Sequence, residues 1–203
     1  FGVDSAAFAP QPAIAKTNTV LSVGALRPNK GFDFLIEALA HMPATGRPGL
    51  TLVANMDNAA ERGYLEHLAR ARQVTLNIEV LVDHQRLVQR YCEASVFVYA
   101  PVREPFGLAP LEAMACGTPV VAVAEGGVPE TVEDGRTGRL VPRTPATFAA
   151  ALQALLDDPD QLEALGQRAR ATVEARWTWA ESVSRLNQHL EQTRRQQPLP
   201  APA

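Results

Sequence analysis

The stretch "SVFVYAPVREPFGLAPLEAMACGTPVVAVA", residues 95–124, reads as strand, loop, helix and strand in succession. "SVFVYAP" (95–101) is a continuous β-branched and aromatic run, the pattern of a strand buried on both faces. Residues 107–116 have the composition of a short helix. Gly107 opens it, Pro110 sits in the first turn where its missing N–H costs little, and Gly117 and Pro119 end it. "PVVAVA" (119–124) is a second buried strand. A short helix between two such strands is a βαβ unit, which implies a parallel pair and a right-handed crossover.

The same alternation extends both ways. "TVLSVG" (19–24), "LTLVAN" (50–55) and "VTLNIEVLV" (74–82) read as strands. Helical patterns cover 30–42, with Phe34, Leu35, Ala38, Leu39 and Met42 on one face, then 59–72 and 85–94. "GRLVP" (138–142) is a last short strand, and helices follow over 145–157, 159–175 and 177–195. Trp177 and Trp179 are expected to anchor the last helix by packing. The fold class is therefore α/β: a Rossmann-like parallel sheet flanked by helices, with a helical C-terminal segment. Residues 1–18 read as a linker without a core partner, 19–180 as the ligand-binding domain, and 181–203 as a C-terminal helix and a disordered Pro-rich tail, "QQPLPAPA".

Composition narrows the function. The 203 residues are 46% apolar and 20% charged, ordinary for a globular domain. The 19 basic and 22 acidic residues are interspersed for a net charge of −3, so no basic stripe marks a nucleic-acid footprint. No apolar run approaches the roughly 18 residues of a membrane span, and no secretory signal pattern is present. Cys92 and Cys116 lie in apolar contexts and read as buried thiols rather than a disulfide. The four His residues (41, 67, 84 and 189) have no metal-like spacing, and no metal is expected. The chain opens at Phe1 and reads as a piece of a longer polypeptide.

In a parallel sheet of this kind the ligand sits at the carboxyl ends of the strands. The loop after the first strand, "GALRPNKG" (24–31), allows a tight turn at Gly24 and brings Arg27 and Lys30 to the mouth of the sheet. Taken alone it reads as a solvated turn with two surface cations, because the G-x-G-x-x-G fingerprint is absent. The loop at 101–108 says more. Glu104 lies on it, and Phe106, Gly107 and Leu108 open the helix with backbone N–H groups suited to an anion. Glu112 lies about two turns along, roughly 9 Å of axial rise from Phe106. That span suits a ligand with hydroxyls at both ends and a diphosphate between. Glu112 sits among Leu111, Ala113, Met114 and Ala115, where a carboxylate is costly without a partner. For "EGGVPETVEDGRTG" (125–138), with Glu130 and Glu133 on a short helix, a plain connection and a ligand contact are both open.

The segments "GVDSAAFAP" (2–10), "SVGALRPNKGFDFLIEAL" (22–39) and "EPFGLAPLEAMACGTPVVAVAEGGVPETVEDGRTGRLV" (104–141) resemble the carboxyl-terminal half of a retaining glycosyltransferase of family 4. The resemblance implies the GT-B architecture, in which two Rossmann-like domains face one cleft. It implies that Glu104 contacts the donor sugar near the reacting carbon and that Glu112 binds the ribose hydroxyls. Phe106, Gly107 and Leu108 would lie along the diphosphate, and Lys30 would pair with the diphosphate and assist its departure. The family's arginine usually follows the glycine of the first loop. Here Ala25 holds that place, and Arg27 is the candidate replacement.

The expected function is donor binding in sugar transfer from a nucleotide-diphosphate sugar to an acceptor hydroxyl, without a cofactor. Residues 1–18 would lead from a missing amino-terminal domain that binds the acceptor, a sugar or a lipid, and this chain alone would bind donor without turnover. The expected location is the cytoplasm, free or peripheral at a membrane. Two other readings stay open: a non-catalytic nucleotide-sugar binding module, and an epimerase or hydrolase of the same architecture. Base choice would rest on backbone contacts near "LVDHQRL" (81–87).

Overall fold

The computed structural model describes residues 1–196. The elements alternate as β1 (Thr17–Val23), α1 (Phe32–Ala40), β2 (Gly49–Ala54), α2 (Ala59–Ala71), β3 (Leu76–Val80), α3 (His84–Glu93) and β4 (Ala94–Tyr99). They continue as α4 (Leu108–Ala115), β5 (Val120–Val123), α5 (Val128–Thr131), β6 (Gly138–Val141), α6 (Pro145–Leu156), α7 (Pro159–Arg176) and α8 (Trp179–Gln196). A single 3-10 turn, Pro28–Lys30, precedes α1 where an unbroken helix from residue 30 was expected. Glu133 lies beyond α5, so Glu130 alone is helical. The Pro-rich tail lies outside the described residues.

The six strands form one sheet in the order β3-β2-β1-β4-β5-β6, and every neighbouring pair is parallel. The chain builds outward from β1 through β2 and β3, then crosses back to lay β4 on the other side of β1. Val20 and Leu21 of β1 register with Val96 and Phe97 of β4. The loops leaving these two strands therefore diverge at a topological switch point, where an open α/β sheet presents its crevice.

Alternating side chains feed two cores. Val20, Leu52, Val98 and Val121 point to the layer of α1, α2 and α6. Leu21, Val53, Phe97 and Val120 point to the layer that includes α3, α4 and α7. Burial on both faces is why these strands read as unbroken apolar runs.

The first sixteen residues differ from the expected free linker. Val3 is buried and its N–H donates to Trp177 O at 2.7 Å. Phe8 stands edge-on to His84 and Tyr91, with ring centroids 4.9 and 6.0 Å away. Arg170 Nη1 donates to the carbonyls of Ser5, Phe8 and Ala115 at 2.9, 2.8 and 2.6 Å. Apolar side chains spaced too irregularly to show a period still find the core. The tryptophans divide: Trp177 packs on Phe106 at 5.6 Å and under Arg185, whereas Trp179 is 57% exposed. Gly2 passes close to the chain at 178–179, where a Cβ would lie 2.8 Å from the backbone nitrogen of Trp179.

Helix α3 is held at both ends. Asp83 caps it by accepting from Arg86 N at 2.7 Å. Glu79 of β3 accepts from Arg86 Nη2 at 3.2 Å and from Arg90 Nε at 3.1 Å, while Arg90 Nη1 reaches Glu93 at 2.7 Å. Arg90 foremost, then Arg86 and Asn77, hold the Glu79 carboxyl down at about 2, against an ordinary 4.5. A depressed carboxyl stabilises the fold above the unfolded-state value, and that contribution is lost as pH falls through the folded value. Glu79→Gln is expected to lower Tm at pH 7 by about 2–4 °C, or about 1 kcal/mol for a partly solvated network. Thermal melts across the pH range should show this difference shrinking from about pH 4.5 downward and vanishing near pH 2.

Candidate functional site

Three loops meet at the carboxyl ends of β1, β4 and β5. In the first, Leu26 is buried and anchors the loop, while Gly24 lets the Lys30 stem lie across it. A Cβ at Gly24 would be 3.4 Å from Lys30 Cγ and Cδ. Gly31 has φ +66°, and its α-hydrogens face the carbonyl of Ala100, where a Cβ would come within 2.0 Å of the oxygen. Val102 N donates to Asn29 O at 2.8 Å. The first and second loops are thus fastened backbone to backbone, and Lys30 Nζ meets Glu104 Oε2 at 2.9 Å across the join.

The third loop supports the second from the other side. Gly127 N donates to Glu104 O at 2.8 Å. A Cβ at Gly126 would lie 2.2 Å from Glu104 O, and one at Gly127 would lie 2.3 Å from Pro105 O. The double glycine of "EGGVPE" is therefore a buttress for the Glu104 loop. A cleft of about 630 Å³ opens here, lined by Glu104 together with Arg103, Glu125 and Glu130. Arg143, just beyond β6, was not singled out in the sequence. It donates to Ala100 O and Pro101 O at 2.9 and 2.7 Å, grips both oxygens of Glu125 at 2.8 Å, and lies 5.3 Å over the Phe34 ring. Nothing in "VPRTP" marks an arginine whose hydrogen-bond partners are 18 to 43 residues away.

Helix α4 starts from this frame. Gly107 is its N-cap with φ +93°, a left-handed conformation that Gly adopts freely. The N–H groups of Phe106, Gly107 and Leu108 have no hydrogen-bond acceptor among the described residues. They are the free donors of a helix start. The Phe106 ring turns away to stack near Phe1 at 4.8 Å and Trp177, so that residue offers its backbone to the site. Leu108 is 43% exposed at the first helical position.

Each glutamate stands beside a buried phenol. Tyr91 of α3 donates to Glu112 Oε2 at 2.7 Å. This is the partner that a carboxylate in an apolar helix demands. Burial raises the Glu112 carboxyl above its ordinary value, while the Tyr91 hydrogen bond and nearby His84 oppose the rise. Burial, then Glu112, pushes the Tyr91 phenol far up, so it remains a protonated donor. Tyr99, at the end of β4, is buried beneath Gly107, 3.7 Å from where its Cβ would be. Burial first, then Glu104, raises its phenol too. The sequence shows Tyr91 and Tyr99 only as core aromatics; the signal was the hydroxyl, which a buried site must satisfy.

Arg27 stands apart from this cluster. It is exposed, and its Nη2 lies 3.3 Å from Met56 Sδ at the end of β2. No grouping of three or more metal-ligating side chains occurs among the described residues, and no helix there is long and apolar enough to cross a membrane.

A β3-β2-β1-β4-β5-β6 parallel sheet flanked by helices, with paired charges and free helix amides at its switch point, defines a Rossmann-like α/β domain. The chain belongs to the glycosyl transferases group 1 family, whose profile matches residues 4–172. It is 35% identical over 175 residues to a D-inositol 3-phosphate glycosyltransferase 2 of Catenulispora acidiphila, covering 81% of this chain and 41% of that protein. It is 33% identical over 214 residues to a GDP-mannose-dependent alpha-(1-6)-phosphatidylinositol monomannoside mannosyltransferase of Mycolicibacterium smegmatis, covering 91% and 53%. Among solved structures it resembles sucrose-phosphate synthase from Thermosynechococcus elongatus, with TM-score 0.83, 33% identity, and coverage of 97% of this chain and 52% of that one. It also resembles Anabaena HepE in complex with UDP and glucose, with TM-score 0.77, 25% identity, and coverage of 95% and 54%. The chain thus spans about half the length, or less, of these relatives.

The buttress can be tested without a ligand. Gly127 has an ordinary φ of −83°, so alanine there meets no conformational penalty, only the backbone of Pro105 and Phe106. Gly127→Ala is expected to cost about 1–3 kcal/mol by denaturant unfolding, as overpacking does. An unchanged midpoint would show that the loops are not in forced contact.

Proposed function

We propose that this chain is the carboxyl-terminal, donor-binding domain of a retaining glycosyltransferase of family 4 with the GT-B architecture. In this reading residues 19–180 bind a nucleotide-diphosphate sugar, and an amino-terminal domain supplies the acceptor hydroxyl of a sugar or lipid. The reaction replaces the nucleotide diphosphate on the anomeric carbon and keeps the configuration. It takes place in the cytoplasm, and this chain alone binds donor without turnover.

The observation that carries the reading is the alignment along α4. The Lys30–Glu104 pair lies at one end, unsatisfied amides at 106–108 follow, and the Tyr91-anchored Glu112 stands one to two turns further on. A diphosphate brought to the amides draws Lys30 toward itself, and the cation then stabilises charge developing on the leaving group. Glu104, relieved of its partner, accepts from sugar hydroxyls near the reacting carbon. Glu112 keeps one oxygen on Tyr91 and has the other for the ribose hydroxyls, as charge-assisted hydrogen bonds. Lys30 and the helix start neutralise the diphosphate, so no metal or other cofactor is assigned. Arg27 adds a cation at the mouth of the site when its exposed side chain leaves Met56.

A thermal-shift panel of GDP-, UDP- and ADP-sugars should raise Tm for at least one donor, since a ligand that binds only the folded state stabilises it by mass action. Glu112→Ala is expected to weaken that donor by about 10- to 100-fold. Lys30→Ala should weaken diphosphate ligands by a similar factor and leave the nucleoside nearly unaffected. No shift with any donor, or equal and negligible effects of both substitutions, would remove the assignment.

The pH dependence follows from Glu112. Its raised carboxyl loses charge on acidification sooner than an ordinary carboxylate, so donor affinity should fall on the acid side above 4.5. Tyr91→Phe removes a bond that favours the carboxylate and so raises the carboxyl further. The affinity profile should then shift to higher pH, with about a 3- to 10-fold loss at pH 7, measured by titration calorimetry.

A further inference from the structure

At the opposite end of the sheet, a cavity of about 640 Å³ lies between residues 10–16 and the length of α7. Its wall carries both cysteines of the protein, Cys92 at the end of α3 and Cys116 at the end of α4. Neither thiol takes part in the site at the carboxyl edge. Both are reduced and nearly buried, at 4% and 3% exposure. The backbone around them is pinned: Thr118 Oγ1 donates to Tyr91 O at 2.6 Å, and Lys16 Nζ donates to both Ala94 O and Thr118 Oγ1, at 2.8 and 2.9 Å. These bonds hold the residues on either side of Cys92 against the turn that follows Cys116.

Both thiols line the same cavity, Cys92 Sγ donates to Ala9 O at 3.5 Å, and their surroundings make the two unequal. The Cys116 thiol, followed by the Gln11 amide and the Lys16 ammonium, lowers the Cys92 thiol below the usual range. The contact with Cys92 and burial push the Cys116 thiol up. The direction of these shifts favours Cys92 as the first of the two to react, since the thiolate is the reactive form. Once Cys92 has been consumed in a mixed disulfide its charge is gone. One of the causes that holds the Cys116 proton is then removed, while Lys16 still favours the Cys116 thiolate.

We propose that Cys92 and Cys116 are a vicinal dithiol modification site that reacts as a unit with small organic disulfides entering this cavity. The Cys92 thiolate attacks one sulfur of the reagent, forming a mixed disulfide and expelling one thiolate. Cys116 then gives its proton to solvent, and its sulfur attacks Cys92 Sγ. The Cys92–Cys116 bond forms and the second reagent thiolate leaves. The two electrons lost by the protein thiols reduce the reagent disulfide to two thiols, so atoms and charge balance. The new bond ties α3 to the end of α4.

The probe is 4,4′-dithiodipyridine, small and uncharged, added to the native chain. Two equivalents of thiopyridone should be released per chain. The intact mass should be two hydrogens lower, with no pyridyl adduct, and dithiothreitol should restore it. Cys116→Ser should release one equivalent and keep one pyridyl adduct on Cys92. Cys92→Ser should react at least about tenfold more slowly, because its remaining thiol lacks the lowered proton affinity. The proposal is overturned if the native wild-type chain carries two pyridyl adducts, if it reacts only in denaturant, or if Cys92→Ser reacts as fast as wild type. Donor binding is independent of each of these outcomes.

Discussion

The backbone of residues 100–105 is gripped between two glycine-bearing turns, and the charges of the site stand where that grip sets them. On one side Gly31 admits the Ala100 carbonyl into space a side chain would fill, and on the other Gly126 and Gly127 admit the carbonyls of Glu104 and Pro105. Arg143 adds a third hold by donating to Ala100 and Pro101 while bound to Glu125. A loop at the open end of a parallel sheet would ordinarily be among its more mobile parts. Here it is fixed by backbone contacts from three strands' worth of connections, which is how a site of separate charges keeps one geometry.

That frame governs the electrostatics. Lys30 and Glu104 come from loops 74 positions apart yet meet at 2.9 Å, so the two charges neutralise each other. The amides at 106–108 have no acceptor among the described residues, and Gly107 between them is left-handed. The two buried phenols act on the carboxylates from below. Tyr91 binds Glu112 directly, and the Tyr99 phenol keeps its proton through burial first and then through the charges of Glu104 and Glu112. A carboxylate kept in an apolar helix by one phenol has its remaining lone pairs available for ligand hydroxyls.

Much of the fold could be read one-dimensionally. The strands are buried on both faces, so their apolar runs are continuous, and the helices between them are short and bounded by Gly and Pro. Differences occur where a long-range contact overrides a local pattern. The 3-10 turn at 28–30 exists because Gly31 must bend left-handed toward Ala100. The opening residues looked unpartnered because Val3 and Phe8 have no periodicity, yet they fill a seam between α3, α7 and α8. Trp179 looked like an anchor, but its side chain is exposed and Trp177 takes the packing role.

The sequence by itself determined that Glu104 and Glu112 flank the start of one helix, because residues on a single loop-helix segment are placed by local geometry. It also determined that the segment follows a buried strand of a parallel sheet, with Lys30 on a comparable loop. Only the tertiary structure decided what those groups touch. The Lys30–Glu104 pair, the Tyr91 and Tyr99 phenols, the Arg143 brace and the fit of the double glycine against Pro105 all join residues far apart in the chain. Strand order and crossover geometry bring them together, and local propensity carries no record of either. Arg27 shows the same limit from the other side: the loop brought it to the mouth of the sheet, but the contact open to it there was Met56.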